Sequence, residues 1–246
     1  MELASSLHRL GNDRVACYLI EEAGAVTIVD AGLPAYYSDL ADELAAMGRT
    51  IEDVEAVILT HGHSDHIGFA ERMREAHSIP VTVHELDAAL ARGEVANPQA
   101  GTGERKLISM LGFLLYSVRK GALRIRTLGE VSTFTTDGTL DVPGAPKVIH
   151  APGHTSGSVA LHSDHVDALL VGDVLSTLGV TSGRIGPQIA PFAADPDEAL
   201  RSLGRIEEVE AHWLLPGHGA PWTEGVGAAI AAARATGVDH LARPKN

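Results

Sequence analysis

The sequence predicts a mixed α/β architecture, built as a pseudo-symmetric sandwich of two halves. Three observations carry that prediction. Short apolar or β-branched runs alternate with stretches of helical periodicity in both halves of the 246-residue chain, the pattern of helices laid on sheets. The 26 glycines and 12 prolines make roughly 15% of the chain against an average of about 12%, so turns are many and sheet accompanies helix. Residues 44–63 (LAAMGRTIEDVEAVILTHGH) also align with 200–219 (LRSLGRIEEVEAHWLLPGHG) once one residue is skipped after Arg49. Each half reads as helix, turn, acidic step, apolar strand and Gly-His, and His63 falls on His218. A weaker pairing sets TIVDAG at 27–32 beside LLVGDV at 169–174, where an apolar strand ends on Asp30 or Asp173. Two halves that deliver polar residues from strand ends place a site at the strand mouths.

In chain order, the runs at 15–20, 26–29, 54–59, 81–84, 147–150, 159–162, 168–171 and 212–215 read as strands. Turns rich in Gly, Pro or Asp bound them, and several are continuously apolar, as strands buried on both faces are. Helical periodicity falls on 40–47, 69–76, 86–92, 104–120, 199–209 and 225–235. Asp195-Pro196 ahead of Asp197 and Glu198 is a helix start, with proline in the first turn and acids facing the positive end of the dipole. Between 92 and 126 the alternation breaks: polar NPQAGTGE leads into apolar LISMLGFLLYSV. That helix has more apolar residues than one buried stripe needs. It is expected to be a helical insertion in a single domain, acting as a cover over the site or as the contact of a homodimer.

Composition excludes several classes. Lys and Arg number 19 against 32 Asp and Glu, a net charge of −13, with only two Trp, four Tyr and four Phe. This fits neither phosphate neutralisation nor base stacking, so no nucleic-acid partner is expected. The start, MELASSLHRLGNDRVACYLI, has no basic segment ahead of an apolar one, so no secretory leader is expected. The longest mostly apolar run, 107–118, is too short to span a bilayer. A single cysteine, Cys17 in an apolar strand, rules out an internal disulfide and fits a reducing cytoplasm. Histidine is the anomaly, with 13 residues.

The chemistry concentrates after the strand at 54–59, in THGHSDHIG: His61, His63, Asp65 and His66 within six residues. Neutral imidazole and carboxylate oxygen suit zinc, and also iron or manganese. Residues two apart on extended backbone point the same way, so His61 and His63 can grip one ion. Three further strand ends add donors: His154 in APGHTSGS, Asp173 after the strand at 168–171, and His218 in PGHG. Seven donors suffice for two ions when one carboxylate bridges.

With these residues the chain resembles the metallo-β-lactamase-fold hydrolase superfamily, over about 15–222. The family's His-x-His-x-Asp-His loop and its distant His, Asp and His are all filled. The resemblance implies a four-layer αβ/βα sandwich holding two divalent ions, zinc first among them. His61, His63 and His154 would hold one ion, Asp65, His66 and His218 the other, and Asp173 would bridge. Asp30 would orient a ligand histidine from behind. The implied activity is hydrolysis of a small ester, thioester or lactone by a metal-bridging hydroxide, with Asp65 orienting it. With His66 present, and Asp173 where many true β-lactamases have cysteine, the expectation is a branch like glyoxalase II or the lactonases. Where the lactonases carry a tyrosine after the bridging aspartate, this chain has Ser176; Tyr36, Tyr37 and Tyr116 are the candidate replacements lining the substrate pocket. The alternative is an oxidoreductase like the family's persulfide dioxygenases, with one iron. His8, His77, His84, His150, His162, His165, His212 and His240 are expected at surface or packing positions.

Overall fold

The computed structural model describes residues 1–97, 106–135 and 137–238. Residues 98–105 of the insertion, with the predicted helix start at Glu104, lie outside the described residues, as does His240. The first half runs β1 (Glu2–Ala4), β2 (Leu7–Asn12), β3 (Val15–Glu22), β4 (Ala25–Val29), α1 (Tyr36–Ala46), β5 (Val54–Ile58), α2 (Ala70–His77), β6 (Val81–His84), α3 (Ala88–Ala91), α4 (Leu107–Arg119) and β7 (Ser132–Phe134). The second runs β8 (Gly138–Thr139), β9 (Lys147–His150), β10 (Val159–Ser163), β11 (Ala168–Gly172), β12 (Ser176–Leu178), β13 (Ile185–Gln188), α5 (Pro196–Ser202), β14 (Trp213–Pro216) and α6 (Val226–Thr236).

Strands β1 to β7 form one sheet in sequence order, and β14-β11-β10-β9-β8 form a second. The period-two alternation of β3 shows how the layers stack. Val15, Cys17 and Leu19 point to a core shared with the α1 residues Leu40 and Leu44. Ala16, Tyr18 and Ile20 point the other way, into a core shared with Leu161, Leu170 and Leu215 of the second sheet. On β11, Leu169 and Val171 turn outward to meet Ala229, Ile230 and Ala233 of α6. Three cores between four layers make the αβ/βα sandwich, and strands buried on both faces explain why these runs are continuously apolar.

The two halves repeat one unit. Strand β4 is joined through α1 to β5, which pairs with it in parallel; β11 is joined through α5 to β14, also parallel. The aligned segments 44–63 and 200–219 therefore run from corresponding helices into corresponding strands. The fifth helix begins as expected: Asp195 accepts from the Glu198 backbone N–H, and Pro196 occupies the first turn. It is shorter than the periodicity implied, giving way to a 3₁₀ turn at Leu203–Arg205. Likewise the predicted helix at 86–92 is a 3₁₀ turn, Glu85–Asp87, followed by α3.

Six strands are absent from the sequence reading: β1, β2, β7, β8, β12 and β13. Each is short or interrupted by polar residues and glycine, and each takes its stability from pairing with a neighbour. The β2 strand LHRLGN is one example, held along its length by β3. Within the insertion, α4 turns Phe113 and Tyr116 towards the first core and leaves Leu107, Ile108, Leu111, Leu114 and Leu115 exposed.

Candidate metal centre

All the expected donors leave the sheets at the same edge. Asp30 follows β4, the loop from Thr60 to His66 follows β5, His154 follows β9, Asp173 follows β11 and His218 follows β14. These strands run in a common sense within each sheet, β4 parallel to β5 and β11 parallel to β14. Strand β9 is antiparallel to β10, which is antiparallel to β11. The site is thus assembled from the carboxyl ends of strands in both halves.

The loop after β5 is fixed by Asp30 before any ion is considered. Asp30 Oδ1 accepts from the Thr60 N–H at 2.8 Å, and Oδ2 accepts from the Thr60 hydroxyl at 2.9 Å. The same Oδ2 lies 2.9 Å from Nδ1 of His66, which turns the other ring nitrogen towards Asp173, 3.5 Å away. Asp30 takes a backbone φ of +63° to make these bonds, a conformation Asp tolerates better than most side chains. The backbone also closes tightly beside the donors. A Cβ on Gly217 would lie 2.5 Å from the His66 ring and 2.7 Å from Asp173 Oδ1, so only glycine fits before His218.

The seven donors form three overlapping groups whose ligand atoms lie within 4.8 Å of one another: His61, His63 and His154; His61, His66 and Asp173; and Asp65, His66 and His218. Asp173 is central. Its carboxylate lies 3.3 Å from His154 Nε2 and 3.2 Å from His218 Nε2, one histidine from each outer group. All except Asp65 are buried. Nε2 of His61, His63 and His66, Nδ1 of His154 and Oδ1 of Asp173 are buried without a hydrogen-bond partner among the described residues. So many orphaned polar atoms in one cluster would be costly if the cluster were purely structural. The grouped donors fit divalent cations, for which neutral imidazole and carboxylate are suitable ligands.

The protonation tendencies divide the histidines. Burial pushes the His61 and His154 imidazoles well below their ordinary range, and burial lowers His63 as well, leaving neutral nitrogens free to ligate. For Asp173 burial opposes ionisation, but His218, His66 and His154 outweigh it and hold the carboxyl well below the usual range. Burial likewise opposes charge on His66 and His218, yet Asp30 and Asp173 raise His66 to about 10 and Asp173 raises His218, so these two rings must give up a proton to ligate.

Asp87, which the sequence reading did not single out, ties two donor loops together. Its Oδ2 accepts from the Gly62 N–H at 2.8 Å and the Thr155 hydroxyl at 2.7 Å, and its Oδ1 from the Gly157 N–H at 2.7 Å. An aspartate at a helix start carries no signal in sequence that distinguishes it from an ordinary cap.

A cavity of about 220 Å³ opens on His63, Asp65, His154, Asp173 and His218. Its other walls are mainly apolar, from Leu33, Phe113, Ala122, Ile125 and Phe192, with Ser117 on α4 among them. The Ser117 hydroxyl is buried and has no partner among the described residues. The tyrosines expected to line this pocket do not. Tyr36 is fully buried, donates to the Val15 carbonyl at 2.8 Å and pairs with the Tyr116 hydroxyl at 2.6 Å. Tyr116 also accepts from Asn12 at 2.8 Å, and Tyr37 pairs with His77 at 2.7 Å. Their hydroxyls join α1 and α4 to the β2–β3 turn and to α2. Ser176 is buried in β12 and is likewise not on the cavity wall.

Because Asp30 orients His66 without belonging to the donor groups, Asp30→Ala is expected to weaken metal binding by about 10–100-fold with every proposed ligand still present. Competition against a chromophoric chelator measures this, and an unchanged affinity would refute the orienting role.

Comparison with known proteins agrees with this arrangement. The family model described as the metallo-beta-lactamase superfamily matches residues 10–218. Among curated proteins, the probable metallo-hydrolase YflN of Bacillus subtilis (strain 168) is 27% identical over 234 residues, covering 90% of this chain and 87% of that protein. Among solved structures, the metallo-beta-lactamase family protein TTHA1429 from Thermus thermophilus aligns with a TM-score of 0.67 at 25% identity, covering 94% of this chain and 78% of that one. TTHA1623, crystallised in a di-iron-bound form, aligns with a TM-score of 0.61 at 25% identity, over 92% of this chain and 97% of that one.

Proposed function

This chain belongs to the metallo-beta-lactamase superfamily, and on that premise we propose that it is a dinuclear metal-dependent hydrolase of a small ester, thioester or lactone. The observation that carries the reading is the gathering of seven histidine and aspartate donors, six of them buried, in overlapping groups whose ligand atoms lie within 4.8 Å of one another, beside a cavity that five of them line. His61, His63 and His154 would hold one ion, Asp65, His66 and His218 the other, and Asp173 would bridge them. What two divalent ions supply in such a cage is Lewis acidity, which polarises an acyl carbonyl and makes water nucleophilic at neutral pH. Zinc is the first expectation, with iron or manganese suited to the same donors; the similar TTHA1623 has been crystallised with two irons.

The chain's own residues do the rest. Asp65 is the most exposed donor, its side chain 23% accessible and 3.4 Å from His218 Nε2. It lines the cavity, so its free oxygen orients the attacking water and can carry a proton to the leaving group. Asp30 and His66 form a buried pair that fixes one ligand ring. The apolar walls exclude bulk water from the carbonyl and accept a short acyl chain. A cavity of about 220 Å³, below the usual range of roughly 300–1,000 Å³, favours a small substrate. The second trio, Asp65, His66 and His218, offers the donors that a second ion would need. Among the described residues no helix is long and apolar enough to cross a membrane.

Elemental analysis of purified protein, joined to a hydrolysis screen of esters, thioesters, lactones and β-lactams, tests the reading. Fewer than about one and a half ions per chain, or no hydrolysis by metal-loaded protein, counts against the two-ion mechanism. Chelation is expected to abolish activity and to lower Tm. At ion concentrations a thousandfold above Kd each bound ion contributes about 4 kcal/mol. At about 2–4 °C per kcal/mol, the shift is roughly 8–16 °C per ion and reverses when metal is restored. A Tm indifferent to chelator would argue that the cluster is structural without metal.

A further inference from the structure

A second cavity, of about 560 Å³, lies beside the metal pocket. Phe113 lines both cavities, and its ring centroid is 5.9 Å from that of His218. One wall is the β2–β3 turn, Gly11 to Arg14. That turn is anchored to the donor cluster, because the Arg14 carbonyl accepts from Nδ1 of His218 at 2.5 Å. Arg9, Asp13 and Arg14 are the charged side chains on the cavity wall. Arg9 and Asp13 neutralise each other at 2.9 Å, and Arg9 also donates to the Gly219 carbonyl at 2.9 Å.

Arg14 is different. Among the described residues its guanidinium makes no ion pair and no hydrogen bond; the exposed side chain lies over the ring of Tyr116, 5.3 Å to the centroid, with Nη2 near Gly112. Tyr116 is itself held by Asn12 and Tyr36, so the hydroxyls that were expected in the pocket instead build a fixed platform under this cation. In a chain of net charge −13, an uncompensated guanidinium on a supported ring faces a cavity next to the reacting centre. Its planar donors match a carboxylate or phosphate through paired hydrogen bonds.

We infer that Arg14 binds an anionic arm of the substrate, carboxylate or phosphate, while the scissile carbonyl sits across Phe113 at the donor cluster; the inference rests on the hydrolase reading above and adds its substrate class. Arg14 acts as a specificity residue and takes no part in bond cleavage.

The test compares metal-loaded wild type with Arg14→Ala on matched esters and thioesters bearing a neutral, a carboxylate or a phosphate arm. Arg14→Ala is expected to raise KM about tenfold for the anionic arm, with kcat and the neutral substrate little changed, as the loss of one charge-assisted contact implies. Arg14→Lys recovers part of the loss, and the wild-type preference for the charged arm weakens with added salt. The arm that responds more identifies the oxyanion. Equal KM changes on neutral and charged substrates, or no change on either, overturn the assignment. If wild type hydrolyses none of them, calorimetry with glutaric acid monoanilide and its neutral amide still decides. A preference for the acid that Arg14→Ala erases keeps the subsite while the hydrolase reading falls, and identical titrations of the two proteins remove it.

Discussion

Asp173→Ala is expected to lower kcat/KM by at least about a hundredfold and to reduce the metal content from two ions per chain towards one. The basis is the central position of this carboxylate. It is within 3.5 Å of His66, His154 and His218, so it touches both outer donor groups. Its loss removes the anion proposed to bridge two dications, whose mutual repulsion would then be left uncompensated. Loss of a mere supporting partner weakens metal binding by about 10–100-fold, so a bridging ligand sets that as the lower bound. Asp173→Asn keeps the shape and removes the charge, and should lose nearly as much. Elemental analysis and steady-state kinetics on whichever substrate the wild type cleaves provide the check. A variant that keeps two ions and wild-type rates would show that Asp173 does not bridge.

The donor set was legible in sequence because its densest part is local. His61, His63, Asp65 and His66 are spaced by the geometry of an extended segment entering a turn, and that spacing is written directly in the chain. The paired halves were legible for a related reason: helix, turn and strand recur at matching intervals, and β4 with β5 and β11 with β14 are parallel neighbours in space. What could not be read depends on contacts between distant segments. Strand β2 exists because β3 pairs along its whole length, and its own residues, LHRLGN, carry no strand pattern. Tyr36 and Tyr116 are 80 residues apart, and nothing in either neighbourhood indicates that their hydroxyls meet. Without that contact both tyrosines read as free to face a substrate, and Arg14 reads as one more surface cation. The lining of the metal pocket by Phe113 and Ser117 likewise follows from how α4 lies against the sandwich, a matter of tertiary packing that periodicity leaves open.

Asp87 is the strongest case of a residue hidden in this way, and Asp87→Ala is expected to destabilise the protein by about 3–5 kcal/mol. Its carboxylate is 1% exposed and receives the Gly62 N–H, the Gly157 N–H and the Thr155 hydroxyl. Removing it strands two buried backbone N–H groups, at about 1–3 kcal/mol each before relaxation, while the Thr155 hydroxyl keeps the Ser158 hydroxyl at 2.7 Å. The carboxylate packs directly on Gly157, where an added Cβ would lie 2.7 Å from its carboxyl carbon. At about 2–4 °C per kcal/mol for a chain of this size, Tm should fall by roughly 6–20 °C. The effect should also reach the metal centre. Gly62 lies between His61 and His63, and Thr155 follows His154, so the carboxylate fixes the spacing of the three histidines proposed to share one ion. Asp87→Asn separates the contributions, since an amide offers one accepting oxygen where three donors converge on two. Its NH₂ group would oppose a backbone N–H or the Thr155 hydroxyl, so the asparagine variant should be destabilised too, by less than alanine. Thermal melts of the metal-loaded and chelated forms read both effects. If Asp87→Ala melts within about a degree of wild type in both forms, the carboxylate is not the clamp between the two loops. If chelation shrinks the difference between variant and wild type, part of the stability it provides is exerted through the ion that those histidines hold.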